Sequence, residues 1–260
     1  MKLSGQVAII TGGASGQGRA TAVLFAHEGA RVVVGDINGN GAEETARLIT
    51  RQEGGQAAAV KADVTKADEV RNLVDTALSR YGRLDVLINN AGATLWKGIE
   101  DTSEEEWDRI LDINLKGVFL GCKFAIPAMR QSGGGSIVNI ASGAGLIGLP
   151  QHFAYCAAKA GVIHLTKSLA LDHGRDNIRI NCICPGAVLT PMLGEVIDLN
   201  DSAQREQTAK QSALGRIAEP EEIARVSLFL CSKDASFMTG AAVPVDGGSA
   251  AGRMGRVHSR

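Results

Sequence analysis

Aromatic side chains are scarce. Phe, Trp and Tyr make up 4% of the 260 residues, against 45% hydrophobic residues in all. A core built from this chain can be substantial, but Ala, Val, Ile and Leu must fill it. Excess charge of either sign is also missing. With 27 Lys and Arg against 28 Asp and Glu, the formal net charge is -1. That removes the electrostatic case for a nucleic acid or an anionic membrane as partner. The one basic cluster, Arg253, Arg256 and Arg260, reads as a solvated tail. No apolar run is long enough to cross a bilayer, and Met1–Gln6 has no apolar leader core. The five cysteines, Cys122, Cys156, Cys182, Cys184 and Cys231, are odd in number and mostly sit within apolar runs. They read as buried free thiols in a reducing, cytoplasmic compartment. Cys182 and Cys184 have no second ligand pair at zinc spacing, so no metal is expected.

What is present is an alternation. Short β-branched runs at Val7–Thr11, Arg31–Asp36, Gln56–Lys61, Asp85–Asn89, Ser136–Ile140, Ile178–Cys184 and Ala242–Asp246 read as strands. Most are nearly continuous apolar runs, as parallel strands buried on both faces require. Helical patterns separate them at Gly18–Gly29, Gly41–Glu53, Lys66–Tyr81, Ser103–Gln131, His152–Gly174 and Glu221–Cys231. Strands alternating with helices imply βαβ units and a doubly wound α/β sheet, helices on both faces. With no internal repeat and no low-complexity linker, residues 1–260 read as one domain. Residues 191–217 break the pattern. Such an insertion serves either as a lid or binding segment, or as a surface loop.

Chemistry enters after the first strand. Thr11-Gly12-Gly13-Ala14-Ser15-Gly16-Gln17-Gly18 joins that strand to a helix. Glycines let backbone approach a pyrophosphate, whose charge meets the helix N-terminus. The second strand ends in Asp36, whose carboxylate can accept hydrogen bonds from both adenine-ribose hydroxyls of NAD and would repel the 2′-phosphate of NADP. No Arg or Lys stands at Ser15, Gln17, Ile37 or Asn38. NAD is therefore expected over NADP. Farther on, Tyr155 and Lys159 stand four residues apart, on one face of a helix. A cation beside a phenol favours phenolate, so the Tyr155 pKa is expected below its usual value of about 10. Such a phenol is a proton donor and acceptor usable near neutral pH. Taken singly, Ser142 reads equally as a turn or cap residue, Asn114 as a satisfied buried amide and Lys159 as a solvated helix lysine.

Together, Thr11-Gly12-x-x-x-Gly16-x-Gly18, Asn89-Asn90-Ala91-Gly92, Asn114, Ser142, Tyr155-x-x-x-Lys159 and Pro185-Gly186 resemble the short-chain dehydrogenases/reductases over almost the full chain. The resemblance implies a Rossmann-like seven-stranded parallel sheet and a dimer or tetramer, the tetramer favoured. It implies that Tyr155 is the catalytic acid/base, that Ser142 binds the substrate oxygen, and that Lys159 tunes Tyr155 and binds the nicotinamide ribose. Asn114 is similar to the family's fourth member, which holds a water in a proton relay. The resemblance also assigns cofactor contacts to Gly12, Ser15, Gly16, Gln17, Gly18, Asp36 and Ile37 in the first two βα turns. Asp63 and Val64 fall beside the adenine, Asn90, Ala91 and Gly92 along the cleft, and Pro185, Gly186, Val188, Thr190 and Met192 near the nicotinamide. Gln17 departs from the pattern, since the family usually has Ile or Leu there.

The substrate side is expected to be lined by Ala93, Trp96, Ala144, Leu149, His152, Val188, Met192 and Leu193, with Ser142 at the reacting oxygen. His152 reads equally as a polar residue at a helix start. No Arg or Lys is among them to fix a carboxylate or phosphate. A neutral, modest-sized secondary alcohol or its ketone, cyclic ones included, fits this lining. Three rivals remain: a reductase of carrier- or CoA-bound 3-oxoacyl thioesters, an NAD-binding relative without catalysis, and a dehalogenase or lyase. Asp36 and the missing basic docking surface argue against the first. The intact Ser142, Asn114, Tyr155 and Lys159 argue against the second, and the intact glycine loop against the third. The long helices starting near Ser103 and His152 are the expected subunit contacts, and the segment Val243–Gly248 resembles a strand often found at a second one.

Overall fold

In the computed structural model, which describes residues 1–52 and 54–252, the strands run through the middle of the chain's fold as one parallel sheet. They are β1 (Val7–Thr11), β2 (Arg31–Asp36), β3 (Gln56–Lys61), β4 (Val86–Asn89), β5 (Gly135–Ile140), β6 (Ile178–Pro185) and β7 (Ala242–Val245). Their spatial order is β3-β2-β1-β4-β5-β6-β7. The helices are α1 (Gly16–His27), α2 (Gly39–Thr50), α3 (Ala67–Tyr81), α4 (Glu104–Leu111), α5 (Gly117–Gln131), α6 (Phe153–His173), α7 (Pro191–Gly194), α8 (Ser202–Ala209) and α9 (Pro220–Cys231). The expected α/β architecture is the one observed. The basic tail and Glu53 lie outside the described residues.

Strict alternation along the strands divides the core in two. Ala8, Ile10, Val32 and Val34 face one side, with Ala22 and Phe25 of α1, Ile49 of α2 and Ile223 of α9. Val7, Ile9 and Val33 face the other, with Leu73 of α3, Val118 of α5 and Val162 of α6. Side chains at i and i+2 share a sheet face, so a five-residue apolar strand such as β1 feeds both layers. Phe25 aside, the largest fully buried side chains are Leu, Ile and Met, as the scarcity of aromatics demands.

Local signals explain the ends. A capping box between Ser103 and Glu106 starts α4, and one between Glu219 and Glu222, with Pro220 in the first turn, starts α9. Gly82 ends α3 in the left-handed region at φ 79. The single helix expected over 103–131 is instead two helices joined by a π-helical turn, Asp112–Lys116. The cause is Asn114. Its amide nitrogen donates to Ile110 O at 2.9 Å and to Ala93 O at 2.9 Å, tying the widened turn to the segment after β4. The weakly periodic stretch 191–217 contains α7 and α8, and Val188 beside it bridges to Ala218.

The order reverses between β1 and β4, because the chain winds outward from β1 through β2 to β3 and then returns to β4 on the opposite side. Open α/β sheets hold ligands at such a switch point, outside the carboxyl ends of the strands. Gly12 and Asn90 follow those two strands directly. A buried polar ladder fixes α6 over this edge. Asn89 Nδ2 donates to Asn139 Oδ1 at 2.8 Å, Asn139 Nδ2 to Thr166 Oγ1 at 2.9 Å, and Thr166 Oγ1 to Val162 O at 2.8 Å. Each partner satisfies the next, so these groups can be buried without an orphaned dipole.

Candidate active site

The turn after β1 is built for close approach. Gly12 and Gly16 have φ of 66 and 50, where a side chain is strained. A Cβ on Gly12 would fall 2.8 Å from both Ala91 Cα and Asn90 Nδ2, and one on Gly18 only 2.0 Å from Gly12 O. Asn90 locks the turn by donating to Thr11 O at 3.0 Å and Gly12 O at 3.1 Å. Thr11 Oγ1 accepts from the backbone N–H of Asn90 and Ala91. Gly18→Ala is therefore expected to force the loop apart, at about 1–3 kcal/mol for an overpacked contact. A Tm lower by roughly 2–12 °C is the corresponding readout in a thermal melt, accompanied by weaker nucleotide binding.

Asp36 sits at the C-terminal end of β2 with both oxygens engaged. Oδ2 accepts from Ala14 N–H at 3.0 Å and Oδ1 from Asn38 N–H at 2.8 Å. The carboxylate is thus fixed against the glycine turn. Ile37 beside it is 64% exposed, and Ser15 is exposed at the start of α1 without a side-chain cap bond. Asp63 closes its own turn by accepting from Thr65 N–H and Oγ1–H at 2.9 and 2.8 Å. Val64 is buried against Gly117. On the far wall, Gly186 packs on Asp246, and Thr190 caps α7 while lying against Gly16. The side-chain oxygen of Gln17, in the turn itself, is buried with no partner. A cradle of glycines and a fixed carboxylate fit a dinucleotide running along this edge.

Lys159 lies at the centre of the opposite wall, 3% exposed, donating from Nζ to Ile140 O at 2.8 Å. Its Nζ stands 5.5 Å from the Tyr155 ring centroid. A Cβ on Gly92 would lie 3.0 Å from Asn114 Oδ1, 3.7 Å from Lys159 Nζ and 3.7 Å from Met192 Cε, so these residues converge on one spot. Ser142 starts a short 3-10 turn, its Oγ accepting from Ala144 N–H at 3.1 Å, and its side chain is near enough to the Tyr155 phenol to draw its pKa down. Ser142 is thus both a cap and a neighbour of the phenol. Behind it, Gly145 packs on the α6 backbone, where a Cβ would fall 2.8 Å from Lys159 O.

Comparison with known proteins accords with this geometry. A family model described as enoyl-(acyl carrier protein) reductase, one of the short-chain dehydrogenase/reductase models, matches residues 12–250. The chain belongs to the short-chain dehydrogenase/reductase family. It is 41% identical over 250 residues to a 3-oxoacyl-(acyl-carrier-protein) reductase of Thermotoga maritima, covering 95% of this chain and 99% of that one. It is 42% identical over 247 residues to a cyclopentanol dehydrogenase of a Comamonas species, covering 95% and 98%. The crystal structure of levodione reductase superposes with a TM-score of 0.91 at 38% identity, covering 96% of this chain and all of that one. Membership makes the protein an oxidoreductase of a family that binds a nicotinamide cofactor.

Within this short-chain dehydrogenase/reductase, one electrostatic expectation is reversed. Burial pushes the Tyr155 phenol up to about 12, with only the Ser142 side chain pulling it down. Burial also lowers Lys159 to about 8. The cation lies over the ring face and spends a hydrogen bond on a carbonyl, so desolvation outweighs its help to a phenolate. Helix periodicity reports which residues share a face, not how dry that face is.

The residues expected on the substrate side differ in placement. Ala144 is buried, and Ala93 exchanges backbone hydrogen bonds with the Asn114 amide. Leu149 is half-buried and connects through its carbonyl, which accepts from His152 N–H at 3.3 Å. Trp96 and His152 stack with ring centroids 4.1 Å apart, and His152 and Tyr155 stack at 4.5 Å and 5°. The sequence reading had both residues but not the stack. It missed Thr94 altogether, whose Oγ1 is 2.9 Å from His152 Nε2. Arg19 was missed as well: its guanidinium reaches back to Ala14 O in the glycine turn and pairs with Glu44 at 3.0 Å. No sequence signal marks either contact, because both depend on where separate loops are folded.

Proposed function

We propose that this protein oxidises a neutral, modest-sized secondary alcohol to its ketone, or runs the reverse reaction, with NAD(H). The observation that carries the proposal is the convergence of Asn114, Lys159 and Met192 on Gly92, with the Tyr155 ring against Lys159, at the switch point that also holds the glycine turn. A nicotinamide dinucleotide, when bound, accepts hydride from the carbinol carbon or returns it to the ketone. The rest falls to the chain's own groups. Gly12, Gly16 and Gly18 admit the diphosphate, and Asp36 receives the adenine-side ribose. Asn90 to Gly92, Pro185, Gly186, Val188, Thr190 and Met192 line the run toward the catalytic wall. Ser142 holds the substrate oxygen and steadies developing alkoxide charge. Tyr155 takes the hydroxyl proton during oxidation and gives it back during reduction. Lys159 holds the nicotinamide-side ribose, and Asn114 keeps the widened turn beside it as the start of a proton path.

Two features support NAD over NADP. The Asp36 carboxylate would face a 2′-phosphate, and the nearby guanidinium of Arg19 is already paired with Glu44. Asp36→Ala removes that repulsion and leaves Ala14 N–H without its acceptor. The NAD-to-NADP ratio of kcat/KM is expected to fall by at least about ten-fold, on the scale of a lost charged hydrogen bond. Unchanged selectivity would refute the role of Asp36.

The relatives point in two directions, toward a small cyclic alcohol and toward a carrier-bound 3-oxoacyl group. The uncharged aromatic wall of Trp96 and His152 favours the former. A screen of secondary alcohols, ketones and 3-oxoacyl thioesters with NAD(H) and NADP(H), read at the reduced-nicotinamide absorbance, separates them. Activity confined to thioesters with NADPH would overturn the reading.

The protein also reads as a homo-oligomer, a tetramer above a dimer. Phe119 on α5 and Leu171 on α6 are 46% and 86% exposed, on the helices expected to meet a second copy. Light scattering should give a multiple of the 27.1 kDa chain mass, and a monomer mass would contradict it.

A further inference from the structure

His152 is held with unusual thoroughness for a residue at a helix start. It is 5% exposed, and its side chain makes no cap bond to α6. The residue before it, Gln151, has φ 56, a left-handed conformation that non-glycine residues seldom adopt. That kink is braced by Lys97 N–H donating to Gln151 O at 2.7 Å, which ties the turn to the segment carrying Thr94 and Trp96. The imidazole then lies between the Trp96 and Tyr155 rings, with Nε2 paired to Thr94 Oγ1. Its remaining nitrogen, Nδ1, is buried and has no partner.

A buried polar atom without a partner is destabilising, and so is a left-handed Gln. Core packing alone would be served better by an apolar ring. The orphaned nitrogen is on the edge of a ring stacked flat against the phenol assigned to proton transfer. The two ring centroids are 4.5 Å apart, so a small molecule whose reacting oxygen lies at Tyr155 meets this stack. The chemistry it can recognise is narrow. Burial holds the imidazole pKa down at about 4, so the ring is neutral near pH 7 and offers no counter-charge to a carboxylate or phosphate. Thr94 Oγ1 can donate to Nε2 or accept from it. The imidazole can therefore present Nδ1 as an N–H donor or as a lone pair. Either suits a hydroxyl, and the donor form suits a ketone.

We propose that His152 is a substrate-recognition residue, its Nδ1 hydrogen-bonding a second oxygen of a substrate that carries two, such as a cyclic diol, hydroxyketone or dione. The inference rests on the oxidoreductase reading above and adds the substrate class. It also gives the stack a purpose, because Trp96 and Tyr155 fix the plane in which the nitrogen points.

The test compares cyclohexanol with cyclohexane-1,4-diol and the 1,2-diol, and cyclohexanone with cyclohexane-1,4-dione, on the full-length protein. The unchanged protein should favour at least one two-oxygen partner by about ten-fold or more in kcat/KM, the scale of a buried hydrogen bond left unmade by the poorer substrate. His152→Phe retains an aromatic ring in the stack and removes the nitrogen. It should shrink that preference toward unity. His152→Asn places an amide atom near the Nδ1 position and should retain part of the preference, and it provides a second route if the Phe variant folds poorly. Loss of both substrate classes in equal proportion, or no two-oxygen preference in the unchanged protein, would overturn the recognition role alone. If no alcohol or ketone turns over with either nicotinamide, the oxidoreductase reading falls and this inference falls with it.

Discussion

Tyr155→Phe is expected to lower kcat/KM for alcohol oxidation by about 10²–10⁴-fold, the usual contribution of a positioned proton acceptor. Nucleotide affinity, measured by titration of NADH fluorescence, should stay close to that of the unchanged protein, because the ring and its stack on His152 remain. The unchanged protein should also show a telling pH profile. With the phenol pushed up to about 12, the proton-accepting form is a small minority near neutrality and grows about ten-fold per pH unit. Oxidation should therefore climb across the neutral and mildly alkaline range. Ketone reduction, which uses the neutral phenol already present, should not follow it. A flat oxidation profile from about pH 6 upward would mean that phenolate is readily reached, as the bare Tyr-Lys spacing implies. Near-normal turnover in Tyr155→Phe would remove Tyr155 from the mechanism.

Lys159→Met is expected to abolish most turnover and yet make the protein harder to unfold. Burial lowers the Lys159 pKa from 10.5 to about 8. A base whose folded pKa is depressed gives stability that is complete above its unfolded value and lost as the pH falls through its folded value. Near neutrality the native state therefore carries the penalty of a buried ammonium, on the order of 3 kcal/mol from a shift of this size. Met fills similar volume without charge. It forfeits the bond to Ile140 O, worth about 1–2 kcal/mol when a buried carbonyl loses its partner. The balance is a gain of about 1–2 kcal/mol, or a Tm higher by roughly 2–8 °C for a domain of this size. The advantage should fade as the pH rises from about 8 toward 10.5, where the unfolded lysine also loses its proton. Thermal melts at neutral and alkaline pH measure this directly. A variant less stable than the parent at both would show that the ammonium is better solvated than its 3% exposure implies.

These two residues also show how far the primary structure could be read. Their shared helix face was legible, since an i, i+4 spacing has one geometry on an α-helix. Their protonation was not. It depends on Ile140 O, Ser142 and the apolar layer above, which come from segments distant in the chain. The strands were legible for a similar reason. Runs such as Val7–Thr11 and Arg31–Asp36 are apolar on both faces and bounded by glycine turns, and few structures other than a buried parallel strand accept that pattern. The break at Asp112–Lys116 was not legible, because Asn114, besides its bond to Ile110 O, is tied to Ala93 on another segment. The separate helices α7 and α8 within 191–217 escaped too, being only four and eight residues long, too short for a periodic signal.

The sequence by itself determined the sheet, the glycine turn, the acid that ends β2 and the grouping of Tyr155 with Lys159, because each follows from local spacing and backbone chemistry. Tertiary structure alone decided how dry the catalytic wall is, which carbonyl holds the lysine, and that an imidazole lies flat on the tyrosine with one nitrogen unused. Those properties arise where loops far apart in the chain meet, and desolvation and stacking belong to that meeting rather than to any one segment.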